Sequence, residues 1–259
     1  MSTEVGRVWT PRELAKRGPL GALDSVTQFD HFDQVTLFRG ALEASAGRRR
    51  VGPVGPRRVR DVGDRLSESE RCQRWNRFRE TRRYAVTNSL SSMLTLTRSG
   101  AVGGGRDEWA DDVVNLMRRS KRQLGFTFPY VWVLEGGGSG LRTHAHMLLP
   151  NAVAERVSAG WKGGGVTDEQ HLGTAEEIRA AAHYVTKDLS TGGGRQIRTP
   201  RCSSFRPERE QYDLPRSVQA VDFLSESFGS PPCVVRRVGP EGAPVGASMF
   251  WDRTELGRA

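Results

Sequence analysis

Residues 128–149 read FPYVWVLEGGGSGLRTHAHMLL, and the rest of the fold can be worked out from this stretch. Two apolar runs, 128–135 and 143–149, flank a loop rich in glycine, which is the pattern of two paired strands joined by a turn. In the second run His144 and His146 stand two positions apart, so both imidazoles leave the same face of the strand. The sequence therefore predicts a hairpin with two histidines on one face.

A carboxylate lies close to this histidine pair if the hairpin forms. Glu135 ends an otherwise apolar strand, and strand pairing brings it near His144 at the glycine loop. Alternate side chains of a strand start about 7 Å apart, which lets two imidazole nitrogens converge on one ion. Glu135, His144 and His146 would then form a three-ligand metal site with positions open for water or phosphate oxygens. A lone His-x-His pair and a solvated glutamate at a loop edge are also common without any metal.

A tyrosine and a lysine on a predicted helix form a third element. The helix begins at the capping box Thr174-x-x-Glu177. Its apolar stripe consists of Ile178, Ala182, Val185 and Leu189. Tyr184 lies roughly 130° from the centre of that stripe, and Lys187 at i+3 shares its side of the helix. This placement fits a reactive phenol beside a compact positive charge, and it equally fits a part-exposed tyrosine beside a solvated lysine.

The flanking sequence predicts a sheet with helices against it. Residues 93–97 (MLTLT) alternate at period two as a strand, and helices are predicted after Ser67-x-x-Glu70, after Asp107 and over 152–158. A turn over 161–166 leads into another short strand. This order of elements predicts an α+β fold with a central, mostly antiparallel sheet flanked by helices.

The two ends of the chain carry weaker patterns than its middle. We predict a basic, weakly structured N-terminal region over 1–66, an ordered domain over 67–205 and a flexible C-terminal tail over 206–259. The best apolar patch of the first region is Val35 to Phe38. Arg48 to Arg60 reads RRRVGPVGPRRVR, which is typical of a mobile linker or of an arm that contacts a DNA backbone.

Composition narrows the class of protein. The net charge of +9 indicates a polyanionic partner, nucleic acid first, although a GC-rich genome also enriches arginine, and only four of the 39 basic residues are lysines. The three cysteines are far apart and form no CxxC, which argues against a disulfide framework or a zinc finger and fits a reducing cytoplasm. No apolar run approaches the ~18 residues that cross a membrane.

Taken together, residues 67–190 resemble the HUH endonuclease superfamily (His-hydrophobe-His), and more closely the replication initiator (Rep) proteins of rolling-circle plasmids and phages. The matching segments, in order, are the LTLT strand of 93–97, the Trp132–Glu135 and Thr143–Leu149 strands, the W-x-x-G-x-V turn of 161–166, and His183-Tyr184-Val185-Thr186-Lys187. The last segment is similar to the family's Tyr-x-x-Lys motif. No second tyrosine follows Tyr184 at i+3 or i+4, so the chain resembles the single-tyrosine members.

The resemblance implies an RRM- or ferredoxin-like palm and a metal-dependent nick in single-stranded DNA at a replication origin. Tyr184 would form a 5′-phosphotyrosine link and leave a 3′-OH primer, with Lys187 contacting the phosphate or favouring the phenolate. Glu135, His144 and His146 would hold Mg²⁺ or Mn²⁺. The implied partners are origin DNA in a hairpin or cruciform, a host helicase and a DNA polymerase, with no membrane. The expected location is the bacterial cytoplasm, with the gene on a plasmid or phage of a GC-rich host.

Some features leave other interpretations open. Certain relatives carry a water-activating glutamate four residues before the tyrosine, where this chain has Ala180, so we considered Glu177 for that role. An HUH transposase or a conjugative relaxase would share the same chemistry. A non-catalytic origin-binding protein or repressor would need only the basic surface. A non-haem iron or cupin-type oxygenase would also use histidine and glutamate ligands.

Overall fold

The computed structural model describes residues 34–47, 68–98, 106–135, 143–186, 203–214, 219–237 and 246–251. The chain divides into two compact units, and each has its own sheet. The central unit consists of Glu68–Arg206, and the terminal unit combines Met1–Ser67 with Pro207–Ala259. The fold is α+β, as the sequence predicts, and every strand pairing described is antiparallel.

The described strands and helices are named here in chain order. The strands are β1 (Gln34–Phe38), β2 (Glu43–Gly47), β3 (Ser92–Arg98), β4 (Val131–Glu135), β5 (His144–Leu149), β6 (Gly164–His171), β7 (Glu210–Asp213), β8 (Val234–Arg237) and β9 (Gly246–Phe250). The helices are α1 (Glu68–Thr87), α2 (Arg106–Leu124), α3 (Asn151–Ala159), α4 (Ala175–Thr186) and α5 (Ala220–Phe228). Two short 3₁₀ turns occupy Arg39–Ala41 and Ser203–Phe205.

The central unit contains a ferredoxin-like core. Its elements β3, α2, β4, β5, α3 and β6 follow the βαββαβ order of that fold, and the strands lie side by side as β4-β5-β3-β6. Helices α2 and α3 cover one face of the sheet. The core between them comprises Leu94, Leu96, Trp109, Val113, Leu116, Met117, Phe128, Trp132, Leu134, Ala145, Met147, Leu149, Val153, Ala154 and Val157. The predicted ferredoxin-like palm is therefore present.

Helices α1 and α4 pack against each other, and α4 contacts β4 and β5 on the opposite face of the sheet. The ring of Phe78 on α1 meets the His183 imidazole on α4 edge-on, with 4.9 Å between the ring centroids. The buried members of α4 include Ile178, Ala182 and Val185, which are the described part of the predicted stripe. The unit thus has helices on both faces of one sheet, and alternate strand residues face one layer or the other.

The turn that follows α3 is fixed by an indole. Trp161 stacks on Trp109 with ring centroids 5.6 Å apart, and its Nε1–H donates to the Thr97 carbonyl oxygen over 2.8 Å. Gly165 lies so close to β3 that a Cβ on it would overlap the Thr97 carbonyl group. The W-x-x-G-x-V sequence therefore anchors β6 against β3, because the indole and the missing side chain both serve the same strand contact.

The terminal unit corrects the prediction made for the two ends of the chain. We predicted a weakly structured region over 1–66 and a flexible tail over 206–259, but their described residues form a five-stranded sheet in the order β7-β1-β2-β9-β8. Strand β2 pairs with β1 and also with β9, from Glu43↔Phe250 to Gly47↔Gly246. Trp251 is buried against Phe228, with ring centroids 4.0 Å apart. These strands are short, and β2 (EASAG) has little apolar pattern of its own.

Several predictions fall outside the described residues. They are the Arg48–Arg60 linker, the capping role of Ser67, the glycine loop after Glu135, and an edge strand that the sequence suggests over 196–199. Among the described residues, no helix combines the length and the apolar character needed to cross a bilayer.

We expect Gly165→Ala to destabilise the protein by about 1–3 kcal/mol, because the added methyl group must push β6 away from the Thr97 carbonyl. The matched control is Gly173→Ala, whose Cβ would meet only the Glu177 carboxylate at an ordinary 3.6 Å. Urea unfolding followed by circular dichroism measures both variants. Equal midpoints for the two would contradict the close approach of β6 to β3.

Candidate active site

The register of the central sheet brings the predicted ligands together. Strand β5 lies between β4 and β3, and Glu135 on β4 pairs directly with His144 on β5. Directly paired residues of antiparallel strands point to the same face, and so do residues two apart in one strand. Glu135, His144 and His146 therefore share the face that α4 covers, while the core residues Ala145 and Met147 point the other way.

The three side chains meet at one carboxylate oxygen. Glu135 Oε2 lies 2.9 Å from His146 Nε2 and 3.4 Å from His144 Nε2. The two imidazoles meet edge to face with ring centroids 4.6 Å apart. The side chain of His146 is 6% exposed, against 28% for His144 and 18% for Glu135. The cluster is thus closed on the His146 side and open on the His144 side.

This donor set fits a divalent metal ion. One ligand atom from each of Glu135, His144 and His146 lies within 4.8 Å of the others, and these three form the possible metal-binding group among the described residues. With metal–ligand bonds of about 2.1 Å, two ligands at right angles around one ion are about 3.0 Å apart. The Glu135–His146 and Glu135–His144 separations are close to that value. Two imidazoles and one carboxylate also leave coordination positions for water or phosphate oxygens.

Tyr184 lies against the same cluster. Its ring meets the His146 imidazole edge-on, with 5.1 Å between the ring centroids and 81° between the planes. The residue is 39% exposed, whereas its neighbour Val185 is buried, so Tyr184 lies off the core stripe as its position in the sequence predicts. The structure thus joins a part-exposed phenol from a helix to a carboxylate and two imidazoles from a sheet.

The other three tyrosines of the chain are poorly suited to act as nucleophiles. Tyr84 is buried, and burial raises the pKa of Tyr130. The hydrogen bond that Tyr212 donates to Glu210 raises the pKa of Tyr212. A raised pKa disfavours the phenolate that would attack an electrophile. Among the four, only Tyr184 lies beside the metal-ligand cluster.

Thr95 is a site residue that the sequence interpretation missed. Its Oγ1 lies 3.1 Å from His146 Nδ1, on the side of the imidazole away from Glu135. Thr95 on β3 pairs directly with His146 on β5, which places both side chains on one face. The LTLT strand was recognised as a motif, but its pairing partner could not be read from local pattern. The available signal was the polar residue at the middle of an apolar strand.

Two other candidates stand differently. Lys187 lies outside the described residues, so its role stays a prediction. Glu177 does not fit the water-activating role considered for it, because its carboxylate accepts the backbone N–H of Gly173 at 2.7 Å and of Thr174 at 3.0 Å. The Thr174 hydroxyl accepts the Glu177 N–H in return, which confirms the predicted capping box. Glu177 also lies seven residues before Tyr184, about 10 Å along the helix axis.

We expect the protein to bind Mn²⁺ and expect His146→Ala to weaken this binding by at least about tenfold, because one of three protein ligands is lost. The matched control is His171→Ala, which removes an exposed histidine of β6 that is not part of the cluster. Electron paramagnetic resonance of free Mn²⁺ measures both affinities. Equal weakening by the two substitutions would show that the cluster does not hold the ion.

Comparison with known proteins gives one match. Residues 91–192 match a family model described as replication-associated protein, of the ORF2 type. No curated protein and no solved structure matches the chain. The matched segment runs from the LTLT strand through the metal-ligand cluster to beyond Tyr184, and over those residues it confirms the resemblance to Rep-type replication initiators. Residues 91–192 are therefore a domain of this replication-associated protein family.

Proposed function

We propose that the central unit nicks single-stranded DNA at a replication origin, with Tyr184 as nucleophile and a divalent metal ion on Glu135, His144 and His146. The observation that carries this proposal is the contact of the Tyr184 ring with the His146 imidazole, 5.1 Å between centroids. That contact puts a part-exposed phenol beside ligands suited to an ion that binds phosphate. The family match over 91–192 supports the same conclusion.

The proposed step exchanges one phosphodiester for another. The Tyr184 phenolic oxygen attacks the scissile phosphorus and loses its proton to solvent, while the bond from phosphorus to the 3′ oxygen breaks. The leaving oxygen takes up a proton and becomes the 3′-OH primer. The 5′ phosphate stays on Tyr184 as a phosphotyrosine ester. Bond types are conserved in this exchange, so the same residue can return the strand by the reverse reaction.

The side chains of the cluster position the phosphate for this attack. A bound Mg²⁺ or Mn²⁺ would supply Lewis acidity toward the non-bridging phosphate oxygens. His144 and Tyr184 are more exposed than His146, so the DNA strand is expected to approach from their side. Lys187, three residues after Tyr184, would contact the phosphate and offset the charge that develops on it.

The basic character of the chain suits this substrate. The net charge of +9 favours a phosphate backbone, and affinity for it should fall as salt rises. Single-stranded origin DNA, extruded as a hairpin or cruciform, is the proposed substrate. After the nick, a host helicase and a DNA polymerase would extend the 3′-OH end. The proposed setting is the cytoplasm of a bacterium that carries the replicon.

We expect Tyr184→Phe to abolish covalent attachment to a single-stranded origin oligonucleotide, because the attacking oxygen is removed. Binding of the oligonucleotide should stay within about twofold. The matched control is Tyr212→Phe, since Tyr212 has a similar exposure of 36% and belongs to the terminal unit. Oligonucleotides tiled across the replicon are incubated with each protein and Mn²⁺, and a shifted band on a denaturing gel reports the adduct. An adduct formed by the Tyr184→Phe protein would remove Tyr184 from its role.

Metal dependence provides a second test of the same chemistry. We expect EDTA, and also His144→Ala, to lower the cleavage rate by a factor of about 10² or more, because the phosphate loses its electrostatic partner. Cleavage should return when excess Mn²⁺ is added to the EDTA-treated wild type but not to the variant. Full wild-type cleavage in EDTA would refute the metal assignment.

The rival functions make different predictions in these assays. A non-catalytic origin-binding protein or repressor would bind the oligonucleotides and yield no cleaved product. An HUH transposase or relaxase would form the same adduct, but with transposon ends or a transfer origin as substrate. The oxygenase alternative loses its support, because the site lies on a ferredoxin-like sheet covered by helices and not in the double-sheet jelly roll of cupins.

A further inference from the structure

We propose that Thr95 is a positioning residue that aims His146 Nε2 at the metal ion by hydrogen bonding to Nδ1. The two atoms concerned, Thr95 Oγ1 and His146 Nδ1, lie 3.1 Å apart, within hydrogen-bond range. They come from residues that pair directly across β3 and β5, so the contact is fixed by sheet register and does not depend on a mobile side chain. This inference rests on the proposed metal site of the preceding section.

The two nitrogens of an imidazole cannot be chosen independently. When Nε2 binds a cation, the ring proton must sit on Nδ1, and that proton needs an acceptor. A threonine hydroxyl has lone pairs to accept it and a proton to donate. Thr95 therefore serves both forms of His146: it accepts from Nδ1–H when Nε2 binds the ion, and it donates to Nδ1 when Nε2–H donates to Glu135.

Burial makes this partner important. The His146 side chain is 6% exposed, so water can reach Nδ1 poorly if Thr95 is replaced by an apolar residue. An unpaired buried donor costs free energy, and here the cost falls on the metal-bound form in particular. The open side of the cluster belongs to His144, whose exposure of 28% gives solvent access to its ring. His146 thus depends on a protein partner more than His144 does.

The experiment compares Mn²⁺ affinity in the full-length chain for Thr95→Val, Thr95→Ser and Thr167→Val. Valine keeps the shape of threonine and removes the hydroxyl, whereas serine keeps the hydroxyl. Thr167 on β6 pairs with Leu96, so it lies on the opposite face of the sheet and is the matched control. We expect about tenfold weaker binding for Thr95→Val, and wild-type affinity within about threefold for the other two.

A spectroscopic measurement keeps the test independent of any variant that folds poorly. Long-range nitrogen–proton NMR on the wild type loaded with Zn²⁺ reports which nitrogen of His146 carries the proton. We expect a hydrogen-bonded proton on Nδ1 and no proton on Nε2. A proton on Nε2, or an ion bound through Nδ1, would overturn the inference without the need for a mutant.

The possible failures point to different conclusions. Wild-type Mn²⁺ affinity in Thr95→Val, together with a loss in His146→Ala, would overturn the role of Thr95 and leave the metal site intact. Wild-type affinity in both His144→Ala and His146→Ala would overturn the metal site itself, and the inference with it. Weakening by Thr95→Ser equal to that by Thr95→Val would show that the hydroxyl is not what matters.

Discussion

The site depends on the antiparallel register of β5 between its two neighbours. Glu135 pairs with His144 on one side of β5, and Thr95 pairs with His146 on the other. A slip of one residue in either pairing would turn those side chains to the opposite face. The register is held by the core on that opposite face, where Leu96, Ala145 and Leu134 stand in direct pairs. Apolar packing on one face therefore sets the geometry of polar groups on the other.

Local pattern was enough to predict the parts of the site that lie on short segments. The His144-x-His146 spacing, the glutamate at the end of β4 and the position of Tyr184 outside the apolar stripe are each visible within a few residues. Their convergence needed only a hairpin and one helix. Thr95 was missed because β3 lies about 50 residues before β5 in the chain, and no local signal states which residue of one faces which residue of the other.

The terminal unit was wrong for the same physical reason on a larger scale. Strand β2 is rich in small residues, and its stability comes from pairing with β1 and β9 and from the buried Trp251 that follows β9. The carbonyl of Leu42 accepts the Trp251 N–H over 3.0 Å, and the Trp251 indole donates to the Ser230 carbonyl over 2.8 Å. A segment that gains its order from partners about 200 residues away looks weak when it is judged alone.

That distant pairing has a consequence for the order in which the chain can fold. The central unit is one continuous stretch, so its contacts become available as soon as residue 206 has been synthesised. The sheet of the terminal unit pairs Glu43 with Phe250 and must wait for the last strand before it can form. Pairings of such sequence separation also form slowly, because a long loop must close first. During synthesis, therefore, the tyrosine and its metal ligands can assemble while β1 and β2 still await their partners.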